Sequence, residues 1–247
     1  GGDFANTFKA SGYDIVFFEG KAEHPVYLLI DNGRPEIKDA RHLWGKDTTV
    51  AEQLIREENG DKNLKMAVIG PAGERLARIA AVINDRGRAA ARSGLGAVMG
   101  SKNLKAVAST GSMKPEVVDR PAIQAMMKEM MRETRENPSG MFFGLTHGGT
   151  PGAMVMHMHD HDVPIKNWGG NNIEDFPESK WDSVAWNGMA KYVTKKYACV
   201  GCPVACGSVL TVEEGRYPVR DAHKPEYETL AAFGPMCLND NMESLIY

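Results

Sequence analysis

Cys199-Val-Gly-Cys202-Pro-Val-Ala-Cys206-Gly gathers three thiols into one short stretch of chain. Thiolates are soft, anionic donors that suit iron and zinc. A C-x2-C-x3-C run lets one loop wrap three corners of an iron–sulfur cubane, with Gly201 and Gly207 relieving crowding around the sulfurs. Three ligands need a fourth, and by simple count that is Cys237, the remaining cysteine. Spacing alone also leaves open a structural zinc site made from the same thiols, or unliganded buried cysteines beside a turn. A disulfide framework would more often spread its cysteines to staple distant segments.

A second segment could bind anions. Asn84-Asp-Arg-Gly-Arg88-Ala-Ala-Ala-Arg92-Ser-Gly-Leu-Gly-Ala-Val-Met-Gly100-Ser-Lys-Asn-Leu-Lys105 packs arginines, lysines and glycines together. Glycines let backbone amides approach an anion, and arginine forks onto phosphate. Gly94, Gly96 and Gly100 do not fit the dinucleotide fingerprint, and no Gly-Lys-Ser/Thr ending marks a nucleotide loop. Taken bare, the segment reads equally as a solvated basic loop. His157-x-His159-x-His161, with Asp160 and Asp162, resembles a metal cluster but lacks the i, i+4 pairing of helical zinc sites, so alternate positions in a solvated loop are expected. Met126, Met127, Met130 and Met131 read as core filler. Trp168, Trp181 and Trp186 read as structural, with Trp168-Gly-Gly170 able to line a channel, and His147 suggests no chemistry.

The elements that must position these residues follow from apolar periodicity and turn signals. Ile15-Val-Phe-Phe18, Val26-Tyr-Leu-Leu-Ile30 and a run around Glu36-Ile-Lys38 predict a β-meander turning at Asp31-Asn-Gly33. Thr48 or Thr49 is the expected cap of a helix to Asn59-Gly60, with Val50, Leu54 and Ile55 on one face. Lys65-Met-Ala-Val-Ile-Gly70 and Leu104-Lys-Ala-Val-Ala108 predict strands, Pro71-Ala-Gly73 a turn. Pro121 opens a Met-rich helix over 122–136, closed by Asn137-Pro138. The change of texture near Gly111 places a domain boundary there: an α+β chain with a β-rich unit over 1–110, then helices and long loops over 111–247 that carry the cysteines.

Composition narrows the function classes. With 247 residues, 43% hydrophobic and 25% charged, the chain has enough apolar content for one large domain or two modest ones. A net charge of -3 gives no electrostatic support for nucleic acid binding. No apolar stretch is long enough to cross a bilayer and no signal-peptide pattern is present, so the expected compartment is the cytoplasm. The opening at Gly1-Gly2 without Met, and the close at Tyr247 inside a helical pattern, lead us to expect a piece of a longer chain.

Taken together, Arg88 to Val107, the cysteine run and Pro225-Glu-Tyr-Glu-Thr-Leu230 resemble, in that order, the aldehyde ferredoxin oxidoreductase family; Ile69-Gly-Pro-Ala-Gly-Glu74 and Gly20-Lys-Ala-Glu23 are similar to it as well. The resemblance runs the length of the chain but covers well under half of a typical member. It implies a tungsten, or in some members molybdenum, ion held by two pterins, a magnesium ion bridging the pterin phosphates, and a nearby [4Fe-4S] cluster. By resemblance Gly1 and Gly2 belong to a loop at the pterin. Arg88, Ala89, Ala91 and Arg92 line the pterin and its phosphates, Ala89 offering a carbonyl towards magnesium. Cys199, Cys202 and Cys206 are cluster ligands, and Glu228 is a buried proton-transfer group at the metal centre. The family takes its fourth cluster cysteine from far towards the C-terminus, which makes Cys237 a packed thiol. The implied activity is oxidation of a small aldehyde to a carboxylate, with electrons leaving to ferredoxin or another electron-transfer subunit in a homo-oligomer or multi-subunit complex. A tungsten aryl-CoA reductase subunit is the sibling alternative, and a noncatalytic redox or zinc-binding module the alternative from another class.

Overall fold

The computed structural model describes residues 2–138 and 140–247, so the expectation for Gly1 lies outside the described residues. The chain forms two compact units, Gly1–Val118 and Asp119–Tyr247. In the first, helix α1 (Phe4–Ala10) precedes a hairpin of β1 (Val26–Asp31) and β2 (Arg34–Asp39), followed by α2 (Thr48–Asn59) and β3 (Lys65–Val68). A single helical turn, α3 (Pro71–Glu74), leads to a second hairpin of β4 (Val82–Asn84) and β5 (Arg88–Ala90). Helix α4 (Leu95–Ser101) and strand β6 (Leu104–Thr110) complete the unit. The strands form one mixed sheet in the order β2-β1-β6-β3-β4-β5, with β1 and β6 parallel and the other neighbours antiparallel.

Position in the sheet explains the strand sequences. β1 lies inside it, and Tyr27, Leu28, Leu29 and Ile30 are all buried, as a strand covered on both faces requires. Asn32 (φ 46°) and Gly33 (φ 86°) supply the two left-handed residues of its tight turn. Helix α2 lays Ala51 and Ile55 onto Tyr27, Leu43, Leu64, Met66, Val68, Ala106 and Ala108. Its cap is Asp47, whose carboxylate accepts the Val50 N–H at 2.9 Å, rather than Thr48 or Thr49, and Gly60 ends it at φ 63°. Val50 is on the exposed side of the helix.

The meander loses its first strand. Residues 15–18 pair with no strand among the described residues, and Ile15 and Phe17 are 66% and 83% exposed. An apolar run signals a strand only where a neighbouring backbone can take its hydrogen bonds. The boundary also falls later than Gly111. The Gly111 Cα approaches Ala10 so closely that a Cβ would stand 2.2 Å from its carbonyl oxygen, and the Met113 N–H donates to the same oxygen at 3.0 Å. Residues 111–113 thus close onto the end of α1, and the first unit runs on to Val118.

The second unit opens with α5 (Arg120–Glu136), capped by the Asp119 carboxylate on the Ala122 N–H at 2.9 Å. After it come α6 (Met141–Gly148), α7 (Met154–His159) and α8 (Trp186–Met189), then an antiparallel sheet of β7 (Val193–Tyr197), β8 (Gly207–Val212) and β9 (Val219–His223) in that order. Two short helices, α9 (Tyr227–Phe233) and α10 (Met242–Ile246), finish the chain. Met154, Met158, Phe176, Val184, Met189 and Leu210 are at the centre of its core, joined by Leu230 and Leu245. Two readings need correction here. The segment flanking the cysteines is a sheet, not helix and loop. In α5 the one buried residue is Thr134: Met126 and Met130 are exposed, and Met127 and Met131 half-buried, so this methionine stripe is not core filler.

One buried ion pair ties the first unit together. The Lys105 ammonium, fully enclosed in β6, donates to Glu74 of α3 and to the Lys46 carbonyl at 2.8 Å, while the other Glu74 oxygen accepts the Gly45 N–H at 2.7 Å. Burial pushes the lysine below its ordinary value, and Glu74 opposes that shift. Lys105→Met, which strands the carboxylate without a counter-charge, should destabilise the unit by about 3–5 kcal/mol. Adding Glu74→Gln should recover part of the loss, both read from chemical denaturation of the full-length protein.

Candidate functional site

The cysteine loop, residues 198–206, joins β7 to β8, and the pairing of Tyr197 with Gly207 closes its two ends. Gly207 has a different duty from the one its position beside Cys206 suggested. A Cβ there would stand 2.5 Å from the Tyr197 ring, so glycine admits the tyrosine across the neck of the loop rather than making room for a sulfur. Within the loop the Cys202 N–H donates to the Cys199 carbonyl at 3.1 Å, Gly201 adopts φ 71° and Ala205 φ 51°, which curl the chain between the thiols. Cys199, Cys202 and Cys206 are half-buried and form no disulfide. Among the described residues no three His, Cys, Asp or Glu side chains stand close enough to hold a single metal ion. A cubane takes each thiolate at its own corner, and three soft donors on one closed loop fit that group in type and spacing.

Behind the loop lie two lysines that no local motif marked. Lys196 of β7 pairs across the sheet with Ser208 of β8, and the Lys224 N–H, just past β9, donates to the Ser208 carbonyl at 2.8 Å. The Lys196 ammonium donates to the carbonyls of Thr146 (3.1 Å) and His147 (2.7 Å) and lies 4.9 Å from the centre of the Trp186 ring. The Lys224 side chain is fully enclosed and meets Glu226 at 3.3 Å.

Glu228 occupies the first turn of α9 and is exposed, contrary to the burial implied by resemblance; Leu230 and Ala231 are the residues that α9 turns inward. Next to it, Tyr227 has its hydroxyl pushed above the ordinary value by burial and then by the charges of Asp162 and Glu228. The His157 ring lies against Tyr227, tilted by 40° with ring centres 4.6 Å apart, and binds Asp162 at 3.0 Å. The histidine run is not a solvated loop: His157 and His159 are on α7. Its members take separate partners, since His159 sits edge-on to Trp181 and His161 binds Asn172. Trp181 is a core residue whose indole N–H donates to the Phe176 carbonyl at 2.9 Å, whereas Trp168 is exposed. Cys237 is exposed as well, so it is not a packed thiol; its Sγ donates to the Ala232 carbonyl.

In the first unit, Arg88, Ala89 and Ala90 form β5, the outer strand of the sheet, and Ala89, Ala91 and Arg92 are exposed beside half-buried Arg88. Gly2 reaches them: a Cβ on it would collide with the side chains of Asn84 and Asp85 and stand 3.3 Å from Arg88 Cγ. Two of the residues assigned to one loop site, 86 positions apart in the chain, thus lie side by side. The glycines after Arg92 do different work. Gly94, Gly96 and Gly100 are buried, and a Cβ at each would strike the backbone of Arg78, Ala81 or Gly73 at 2.0–2.6 Å, so the lack of a side chain is what permits α4 to pack. A short edge strand with small side chains and two arginines fits a phosphate-bearing ligand through its exposed backbone and cations.

The N-terminal segment is held by groups sequence reasoning missed, because they are far apart in the chain. Asp85, in the β4–β5 turn, accepts the N–H groups of Asp3 (2.5 Å) and Phe4 (3.3 Å) at the start of α1. Lys65 binds both Asp3 and Asp85, at 3.1 and 3.2 Å.

Residues 1–111 match the family described as aldehyde ferredoxin oxidoreductase, N-terminal domain, and residues 125–247 match that family's domains 2 and 3. The chain is 37% identical to a tungsten-containing aldehyde ferredoxin oxidoreductase of Pyrococcus furiosus, a match spanning 100% of the chain and 39% of the relative. It is 33% identical, over 97% of its length, to the WOR-like subunit of an aliphatic sulfonate oxidoreductase from the same organism, again covering 39% of it. Among solved structures, it resembles a chain of the active site complex BamBC of benzoyl coenzyme A reductase with 1,5 dienoyl-CoA. There the TM-score is 0.77 and the identity 27%, over all of this chain and 38% of that one. The chain therefore spans about two fifths of the length of these relatives.

The tether of Asp3, Lys65 and Asp85 has a pH signature. Partial burial lowers the lysine, but the two carboxylates outweigh it and hold the ammonium above its ordinary value of 10.5. A raised lysine contributes stability that is complete below the unfolded value and is lost as pH rises through the folded one. The destabilisation caused by Lys65→Met should therefore shrink as pH climbs past 10.5, measured as the difference in melting temperature between parent and variant.

Proposed function

Since the chain belongs to the aldehyde ferredoxin oxidoreductase family, we propose that the whole protein oxidises a small aldehyde to a carboxylate in the cytoplasm. Aldehyde and water give carboxylate, three protons and two electrons, and ferredoxin or another electron-transfer subunit takes the electrons. When bound, a bis-pterin tungsten or molybdenum ion and a [4Fe-4S] cluster supply the low-potential redox chemistry. The observation that carries the reading is the closed loop of Cys199, Cys202 and Cys206 in a chain matched to the family at both ends.

This chain's residues have the following tasks. The three cysteines hold the cluster, with the fourth thiolate from outside the chain rather than from Cys237. Gly1, Gly2, Arg88, Ala89, Ala91 and Arg92 bind the pterins and their phosphates, Ala89 through its carbonyl to magnesium. Arg88 and Arg92 neutralise phosphate charge, and the small side chains leave the strand's backbone open. Glu228 holds or moves a proton at its carboxylate. A helix-borne acid exposed on its outer side can be reached by substrate. The protein works in a homo-oligomer or a multi-subunit complex.

A sibling reading has its own support in the likeness to the benzoyl coenzyme A reductase chain: a catalytic subunit that passes electrons into an aryl-CoA ring. Metal analysis and substrate together decide. The full-length protein, purified without oxygen, should contain about one tungsten or molybdenum and about four irons per chain, and should reduce viologen with an aldehyde. Zinc in their place would overturn the proposal in favour of a noncatalytic module; turnover of an aryl-CoA ester without aldehyde activity would move it to the sibling. Glu228→Gln should lower kcat on the order of 10²–10⁴-fold with metal and iron contents unchanged.

A further inference from the structure

We propose that Lys196 and Lys224, with Ser208 between them, form a cationic platform beneath the cysteine loop that favours the more negative, reduced state of the iron–sulfur cluster held there. The inference rests on the reading of the loop as a cluster site. Two paired strand positions and the residue just past β9 bring the groups together: Lys196 and Ser208 are cross-strand partners, and Lys224 is tied to Ser208 through its backbone. Directly opposed side chains share one face of a sheet.

The platform reaches the loop at Cys206. Gly149 marks the place, because a Cβ on it would stand 2.4 Å from the Lys224 ammonium nitrogen and 3.2 Å from the Cys206 carbonyl oxygen. Lys196 feels both neighbours. Burial and then the charge of Lys224 push its ammonium below the ordinary value, and Cys206 pulls it back. Two like charges have thus been brought within electrostatic reach of each other beside a loop built for anionic ligands.

The charge does not cancel locally. Lys224 has a carboxylate partner in Glu226, but the hydrogen bonds of Lys196 go to neutral backbone carbonyls. Ser208 adds a second sign of an intended acceptor. It is fully buried and its hydroxyl has no hydrogen-bond partner among the described residues, an expensive condition for a group that could rotate towards one. Net charge and hydrogen bonding around the sulfurs are the levers by which a protein sets cluster potential. A cation beside the cluster makes addition of an electron easier.

The test is a dye-mediated redox titration of the full-length enzyme, following the reduced cluster by electron paramagnetic resonance. Iron content is measured first. Lys196→Gln, a change at an exposed position, should make one-electron reduction about tenfold less favourable, equivalent to about 59 mV downwards, with iron content unaltered. Lys196→Arg should restore the parental potential, and Ser208→Ala should shift it in the same direction as Lys196→Gln by a smaller factor. Lys224→Met is a less safe probe, since it strands Glu226. A cluster present in all variants with potentials unchanged within twofold would overturn the platform and leave the family reading intact. Absence of iron from the parent enzyme would overturn that reading and this inference with it.

Discussion

A loop carrying three thiols can present them together only if its ends are fixed, and here a single backbone pairing does so, Tyr197 with Gly207. The pairing needs glycine at 207, because any side chain would meet the tyrosine ring. From that neck the rest of the unit follows. β8 runs from it into the core, where Leu210 and Val212 are buried with the methionines of α7 and α8. β9 returns along β8 and delivers Lys224 and then Tyr227 and Glu228 within a few residues of its end. The same sheet therefore sets the position of the thiols, the cations behind them and the acid of α9.

The legible parts of the sequence were those whose signal is local. The Asn32-Gly33 turn, Gly60 at the end of α2 and Pro121 at the start of α5 each act through their own backbone preference, and the structure has each element. The order of the motifs disclosed the family. What could not be read locally depended on partners. Ile15 to Phe18 has the composition of a strand and no neighbouring strand among the described residues. Val193-Thr-Lys-Lys-Tyr197 has little apolar alternation and is a strand because β8 pairs with it. Glu228 and Cys237 illustrate the same limit in burial, since their exposure depends on how α9 and the following turn sit on the core and not on residue type.

The basic segment shows how one composition can serve two purposes. Glycines in such a segment let backbone amides approach an anion, and here Gly94, Gly96 and Gly100 also permit close passage of α4 over the backbone of Gly73 and Arg78 to Ala81. Ala89, Ala91 and Arg92 before them are exposed, and Arg88 is half-buried. Exposure and close packing are therefore separated along the chain, with the exposed strand first and the tightly packed helix after it. Asp3, next to Gly2, is tied to this segment through Asp85 and Lys65, a contact no pattern at either end foretells.

β5 has one further property as the outermost strand of its sheet. One side of its backbone is paired with β4, and the outermost strand of a sheet is where another chain could add a strand and begin aggregation. β5 offers little to such a visitor. It spans only Arg88–Ala90, carries no large apolar side chain, and is bracketed by Arg88 and Arg92. Two molecules brought edge to edge would set like charges against each other before their backbones met. The side chains assigned to anion binding would also serve as gatekeepers of colloidal stability, so neutralising them should be judged by solubility as well as by activity.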